Sequence, residues 1–375
     1  MSGYVWYSSG SDVTGPKLAE ALDFHHGKKT PDFDKLDILV GWGCRAESRQ
    51  KYNPEDLRSK IAQGEIRVLN HPSHISQARN KLALLTKLQA KGIRVPAFIN
   101  VAGRHPSAGI SMLRKAVDEG ELILPCLGMN QFHKGRPVFC WTKEDLEKVV
   151  LEGATKEGGG NLHYFRSLLQ GTEYRIQIFR EEALGIEVKA LSKDPVAASA
   201  SNLLAELKKQ NQEATQATEG EIRIVVSMLA EDLLRGPSHM LKSVQHGWEW
   251  REIAAHHVPA QAISTAISAI YKSGLDMGAV NVVMEEGQPL VTNVISAPGL
   301  DEKMLSAYVA AIKDFAKGGV QRKKKKENPA AADEAAAAAA GSEGARPELI
   351  AKITRKLRLG NISEEQAEEI LKALE

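Results

Sequence analysis

Leu275-Asp276-Met277-Gly278-Ala279-Val280-Asn281-Val282-Val283-Met284-Glu285, then Glu286-Gly287, then Gln288-Pro289-Leu290-Val291-Thr292-Asn293-Val294-Ile295-Ser296-Ala297-Pro298-Gly299-Leu300, is the stretch that decides the fold. Two runs rich in β-branched residues flank a Glu-Gly turn, a pattern that predicts an antiparallel hairpin of two core strands. A helix over about 260–272, ended by Gly274, leads into it. A second helix over 301–317 follows, with Met304, Tyr308, Ile312 and Phe315 on one face.

Upstream, Tyr174 to Arg180 alternates polar with apolar residues at period two, and Ala183 to Leu191 does so less cleanly, so the two read as another hairpin. Between the hairpins, about 192–243 is polar and helix-forming and reads as a helical insertion. Near the start, Tyr4-Val5-Trp6-Tyr7 and Leu36-Asp37-Ile38-Leu39-Val40 predict short strands, the latter ending in a turn at Gly41-Trp42-Gly43. One helix is predicted from Ser76 to Lys91, with Ala78, Leu82, Leu85 and Leu88 inward. Extended segments are expected from Val95 and at 122–124, helices over 110–119 and 142–152, and a mobile loop at Gly158-Gly159-Gly160. Strands and helices thus share an α+β chain, with an N-terminal α/β lobe over 1–70 and a second body over 71–320.

Beyond residue 320 the composition changes. Gln321-Arg322-Lys323-Lys324-Lys325-Lys326 gives way to an alanine-rich run, and 321–346 reads as a flexible tether with no apolar face to bury. Residues 347–375 read as a helical hairpin: Leu349, Ile350, Ile353 and Leu357 on one helix, and Ile370, Leu371 and Leu374 on another that opens at the capping-box spacing Ser363 to Gln366. It is too small to bury a core alone, which makes it a docking element for a protein partner.

A length of 375 residues implies two to three domains. With 43% apolar and 26% charged residues, whole-chain disorder, collagen and coiled coil are excluded. The net charge of +2 excludes a surface given over to nucleic acid, and the Arg322 to Lys326 block reads as part of the solvated tether. Cys44, Cys126 and Cys140 are too widely spaced for a disulfide framework or a four-ligand zinc site, which suits a reducing compartment. No apolar run reaches bilayer length and the start lacks a signal-peptide pattern, so a cytoplasmic protein is expected. The pairs His25-His26 and His256-His257 have no cysteine or carboxylate at ligand spacing and read as solvated.

Three ordered stretches resemble the ATP-grasp superfamily of carboxylate–amine ligases, in its phage and bacterial amidoligase branch. They are Asn80-Lys81 with Gly92-Ile93-Arg94-Val95-Pro96; His163-Tyr164-Phe165 with Gly171-Thr172-Glu173-Tyr174-Arg175-Ile176; and the opening hairpin with its Ala297-Pro298-Gly299-Leu300 end. Gly247-Trp248-Glu249-Trp250-Arg251 also resembles a segment of that branch, although a buried tryptophan strand accounts for it equally. The resemblance implies a multilobed body that clamps ATP, uses lysines and a glycine-rich loop on the phosphates, and holds magnesium with carboxylates of the last hairpin. A substrate carboxylate would then attack the γ-phosphorus, and an amine would capture the acylphosphate.

Carried onto this sequence, the resemblance makes Lys81 a nucleotide-phosphate lysine, against a solvated lysine on an amphipathic helix. It makes Arg175 and Lys189 catalytic anion-binding groups, against cross-strand ion pairs with Glu173 or Glu187. His133, Lys134 and Arg136, in a basic turn with Gly135, are the candidate phosphate cradle. The metal positions depart from the pattern: the strand aspartate is Asn281, the hairpin glutamate is Asn293, and the hairpin asparagine is Ile295. Magnesium favours anionic oxygen, so two amides and an isoleucine weaken the site. Two functions follow, an ATP-dependent ligase joining an unidentified carboxylate to an unidentified amine, or an inactive ATP-grasp scaffold for binding or assembly.

Overall fold

The computed structural model describes residues 2–8, 13–44, 53–100, 164–195, 197–201, 242–243 and 246–318, with short pieces between 111 and 144. The chain divides into two units, Met1–Lys317 and Gly318–Glu375. The tether and helical hairpin expected over 321–375, most of the insertion expected over 192–243, and Gly158 to Gly160 lie outside the described residues. So do residues 122–124 and most of 110–119 and 142–152.

The first sheet is parallel: β1 (Gly3–Tyr7), β2 (His25–Gly27), β3 (Ile38–Trp42) and β4 (Arg67–Leu69), ordered β2-β1-β3-β4. Its crossovers are α1 (Thr14–Leu22) and α2 (Pro54–Gln63). Burial on both faces explains the unbroken apolar texture of β1 and β3, in which Val5, Trp6, Ile38, Leu39, Val40 and Trp42 are at most 1% exposed. The strand expected at 36–40 runs two residues later, through Trp42.

The single helix expected over 76–91 is two helices, α3 (Pro72–Arg79) and α4 (Lys81–Ala90), parted at Asn80. Asn80 takes extended backbone angles, and its Oδ1 accepts from Ala83 N–H at 3.1 Å, capping α4. The apolar period runs across the break because both helices face the core, with Leu84 fully buried and Leu82 partly buried against Leu85 and Tyr164.

A second, antiparallel sheet joins β5 (Phe98–Asn100), β6 (Cys126–Met129), β7 (Val138–Cys140) and β8 (Tyr164–Ser167) in the order β5-β8-β6-β7. The third is also antiparallel: β9 (Thr172–Phe179), β10 (Glu182–Leu191), β11 (Trp248–Glu252), β12 (Met277–Glu285) and β13 (Gln288–Ile295), ordered β11-β10-β9-β12-β13. Both expected hairpins form. The second turns at Glu286 (φ 50°) and Gly287 (φ 75°), two left-handed residues that suit the twist of flanking strands.

One face of the third sheet packs on α5 (Ala260–Ser273): Ile176, Val280 and Val282 bury against Ala262, Ala266, Ala269 and Ile270. Part of the other face is covered by α6 (Glu302–Ala316), whose Tyr308 hydroxyl donates to Gly278 O at 2.9 Å and whose ring meets Trp42 edge-on at 5.6 Å. Met304, Tyr308, Ile312 and Phe315 are all buried, as the helical spacing predicts. The last turn of α6 is held by Arg67, whose Nη1 donates to Phe315 O (3.2 Å) and Ala316 O (2.9 Å).

Asn70 joins the first sheet to the third. Fully buried and left-handed at φ 58°, it accepts from Asp276 N–H (2.8 Å) and Met277 N–H (3.0 Å) through Oδ1 and donates to Met277 O (2.9 Å). Its own N–H donates to Asp276 Oδ2 at 2.8 Å. Gly41 permits the approach, since a Cβ there would lie 2.3 Å from Asn70 O.

Candidate nucleotide-binding face

Strand register builds the site. Glu252, Glu187, Arg175, Asn281 and Asn293 are successive cross-strand partners, so they form one polar row across all five strands of the third sheet. Asn281 and Asn293 are direct partners and share a face, as the resemblance requires of residues at a common metal site. A bulge follows Asn281, and Thr292, next to the bulge, donates its hydroxyl to Asn281 O at 3.3 Å.

The row is cross-linked by side chains. Asn281 Nδ2 donates to Glu173 Oε1 at 3.0 Å, while Asn281 Oδ1 accepts from Arg175 Nε at 3.4 Å. Lys189 reaches Glu173 at 3.3 Å and Arg175 reaches Glu187 at 3.9 Å, which are the cross-strand ion pairs the sequence raised. Trp250, the β11 partner of Lys189, lies under both cations, with Arg175 Cζ 4.0 Å and Lys189 Nζ 4.9 Å from its ring centroid. Lys242 approaches the Trp248 ring at 5.5 Å and donates to Gln170 O and Gly171 O at 2.6 and 2.5 Å. Gly171 is needed where it stands, because a Cβ would fall 1.8 Å from Met284 O.

Burial lowers the pKa of Arg166, Arg175, Lys189 and Lys242, and Glu173 opposes the shift at each. Glu187 is raised by burial, with Arg175 pulling back. Arg175, Lys189 and Lys242 thus stand beside Glu173, Glu187 and Glu252 on this face, while Arg166 of the second sheet and Glu285 act on it electrostatically.

The donor set does not fit a divalent metal. The Asn281 oxygen faces a guanidinium, its nitrogen is committed to Glu173, and Ile295 has no donor. The carboxylates nearby in sequence are used elsewhere: Glu285 accepts from Gln170 N–H and Gly171 N–H, and Asp276 from Asn70 N–H. No group of three or more His, Cys, Asp or Glu side chains able to hold a metal occurs among the described residues. Asn293 Oδ1 is buried without a hydrogen-bond partner, an arrangement that costs about 1–3 kcal/mol until something donates to it.

Lys81 sits apart from this row. Its Nζ donates to Ala78 O at 3.2 Å and to Val294 O, on the outer edge of β13, at 2.9 Å. Burial, reinforced by Arg79, lowers its pKa to about 7. His133, Lys134 and Arg136 lie outside the described residues. The sequence singled out the Gly247 to Arg251 segment, which forms the expected strand with Trp248 and Trp250 only partly buried, but it marked neither Arg166 nor Lys242.

The fold is shared with solved ATP-grasp ligases. D-alanine–D-alanine ligase from Bacillus anthracis superposes at a TM-score of 0.53 with 12% identity, over 85% of this chain and 100% of the ligase. The same ligase complexed with ATP gives 0.50 and 12%, over 85% and 99%. The ATP-grasp ligase PsnB complexed with its minimal precursor gives 0.51 and 11%, over 85% and 99%. The chain therefore has an ATP-grasp fold of the α+β class. No protein-family model and no curated protein sequence matches it. No helix among the described residues is long and apolar enough to cross a membrane.

Proposed function

We propose that this chain is a nucleotide-binding protein on an ATP-grasp frame, holding ATP against the polar face of the third sheet and acting in binding or assembly rather than as a ligase. The Asn281–Asn293 pair carries this reading. Acylphosphate formation requires the γ-phosphate charge to be neutralised while a carboxylate attacks, and the amide pair offers magnesium no anionic oxygen. The basic face and the fold shared with a ligase solved with ATP support the nucleotide. The protein acts in the cytoplasm, that of the host if the gene is carried by a phage, and residues 347–375 on their tether dock a protein partner.

A working carboxylate–amine ligase is the second reading, favoured by Arg175 and Lys189 lying together on this face. Calorimetric titration with ATP, paired with an assay of ADP release in magnesium with pooled carboxylates and amines, separates the two. Binding without ADP release is the expected result. Magnesium-dependent ADP release matched by amide formation would establish the ligase instead, and absence of binding would remove both.

A further inference from the structure

We propose that this face binds the phosphate chain of its nucleotide without a divalent metal, through Arg166, Arg175, Lys189 and Lys242, and that the carboxylate of Glu173 occupies the anion position until the phosphate displaces it. The proposal rests on the nucleotide-binding reading and specifies how that site neutralises charge.

Glu173 is the starting observation. It contacts Lys189 at 3.3 Å and the Asn281 amide at 3.0 Å, and acts electrostatically on Arg166, Arg175, Lys189 and Lys242 alike. Glu173 is thus ion-paired with Lys189 of β10 and lies within the electrostatic reach of Arg166 on β8, Arg175 on β9 and Lys242 before β11. Those cations also act on one another, since Arg166 and Arg175 lower Lys189 and Lys189 lowers Lys242. Partial burial strengthens such repulsion, and the three carboxylates that act on these groups, Glu173 on all of them, Glu187 on Arg175 and Glu285 on Lys242, are fewer than the four cations. A phosphate carries more charge and more acceptor oxygens than a carboxylate, and the planar guanidiniums of Arg166 and Arg175 suit it.

The second observation is Asn281. An aspartate in its place would put a carboxylate about 3 Å from Glu173, which two anions tolerate only with a cation between them. The amide instead donates to Glu173 and accepts from Arg175, so the row closes without a metal. The third is Trp250, whose ring stacks under Arg175 and sits near Lys189, holding both heads in place before any ligand arrives. Charge that magnesium brings as a separate ion is here built into the chain.

The test is calorimetric titration of the full chain with ATP, and with tripolyphosphate, in excess EDTA and then in excess magnesium. Tripolyphosphate isolates the phosphate chain from the base. Both ligands should bind in EDTA, with affinity falling as salt rises. Lys189→Met should weaken binding about tenfold, the loss of one charge-assisted contact. Glu173→Gln keeps an acceptor for Asn281 and removes the competing charge, so it should tighten binding by about threefold or more. A purely structural salt bridge would give no tightening. Binding that EDTA abolishes and magnesium restores would overturn the proposal while leaving nucleotide binding intact. ATP binding unchanged in both variants would overturn it equally, and no ATP binding under either condition would fail the underlying reading.

Discussion

An amide where a carboxylate would serve a metal changes what its neighbours can do. Asn281 can both donate and accept, and it does so to Glu173 and from Arg175. Asn281→Asp should therefore lower stability by about 1–2 kcal/mol in denaturant unfolding, through repulsion with Glu173. Combining it with Glu173→Gln should recover most of the loss, a double-mutant cycle that reads the coupling directly. Lys81 poses a different residue-scale question. Lys81→Met removes the donor from Ala78 O and Val294 O and should cost about 1–3 kcal/mol. If support of the β13 edge is its whole role, ATP affinity will not change; a phosphate role would show as weaker binding.

Among elements, the junction between β4 and α3 is hydrogen-bonded directly to the start of β12 through Asn70. Asn70→Ala would leave Asp276 N–H, Met277 N–H and Met277 O unpaired in a buried setting and should cost about 3 kcal/mol or more, measured by thermal or denaturant unfolding. Beside it, His71 is pulled down to about 4 by burial, reinforced by His74 and Arg58. A histidine depressed in the folded state stabilises it above the ordinary value near 6.5, so stability should fall as pH drops from about 6.5 towards 4. His71→Gln should flatten that part of the profile. These contacts join positions some 200 residues apart, and no local pattern announces them. The two hairpins and α6 were legible because period-two alternation, a Glu-Gly turn and a four-residue apolar stripe are local. The break at Asn80 was hidden because the stripe continues through it, and Asn80 is marked only by its power to cap. At the site, the Asn281–Asn293 departure was readable residue by residue, whereas the meeting of Trp250 with Arg175 and Lys189 required the register across β11, β10 and β9, and Arg166 comes from a different sheet.

Across the whole molecule, the first unit contains all three sheets and the contacts described between them. Truncation after Lys317 should leave its unfolding midpoint unchanged within error, and ATP affinity with it, while capture of a protein partner should be lost. The grip of Arg67 on the carbonyls of Phe315 and Ala316 gives the boundary between the units a mechanical character. Tension drawn along the tail meets the end of α6 first, and the guanidinium passes part of that force sideways into β4. In an optical-trap experiment pulling from the C-terminus, α6 should peel at a lower force in Arg67→Ala than in the parent chain. A load applied at the C-terminus is then borne by the Arg67 guanidinium before the helix covering the third sheet begins to lift.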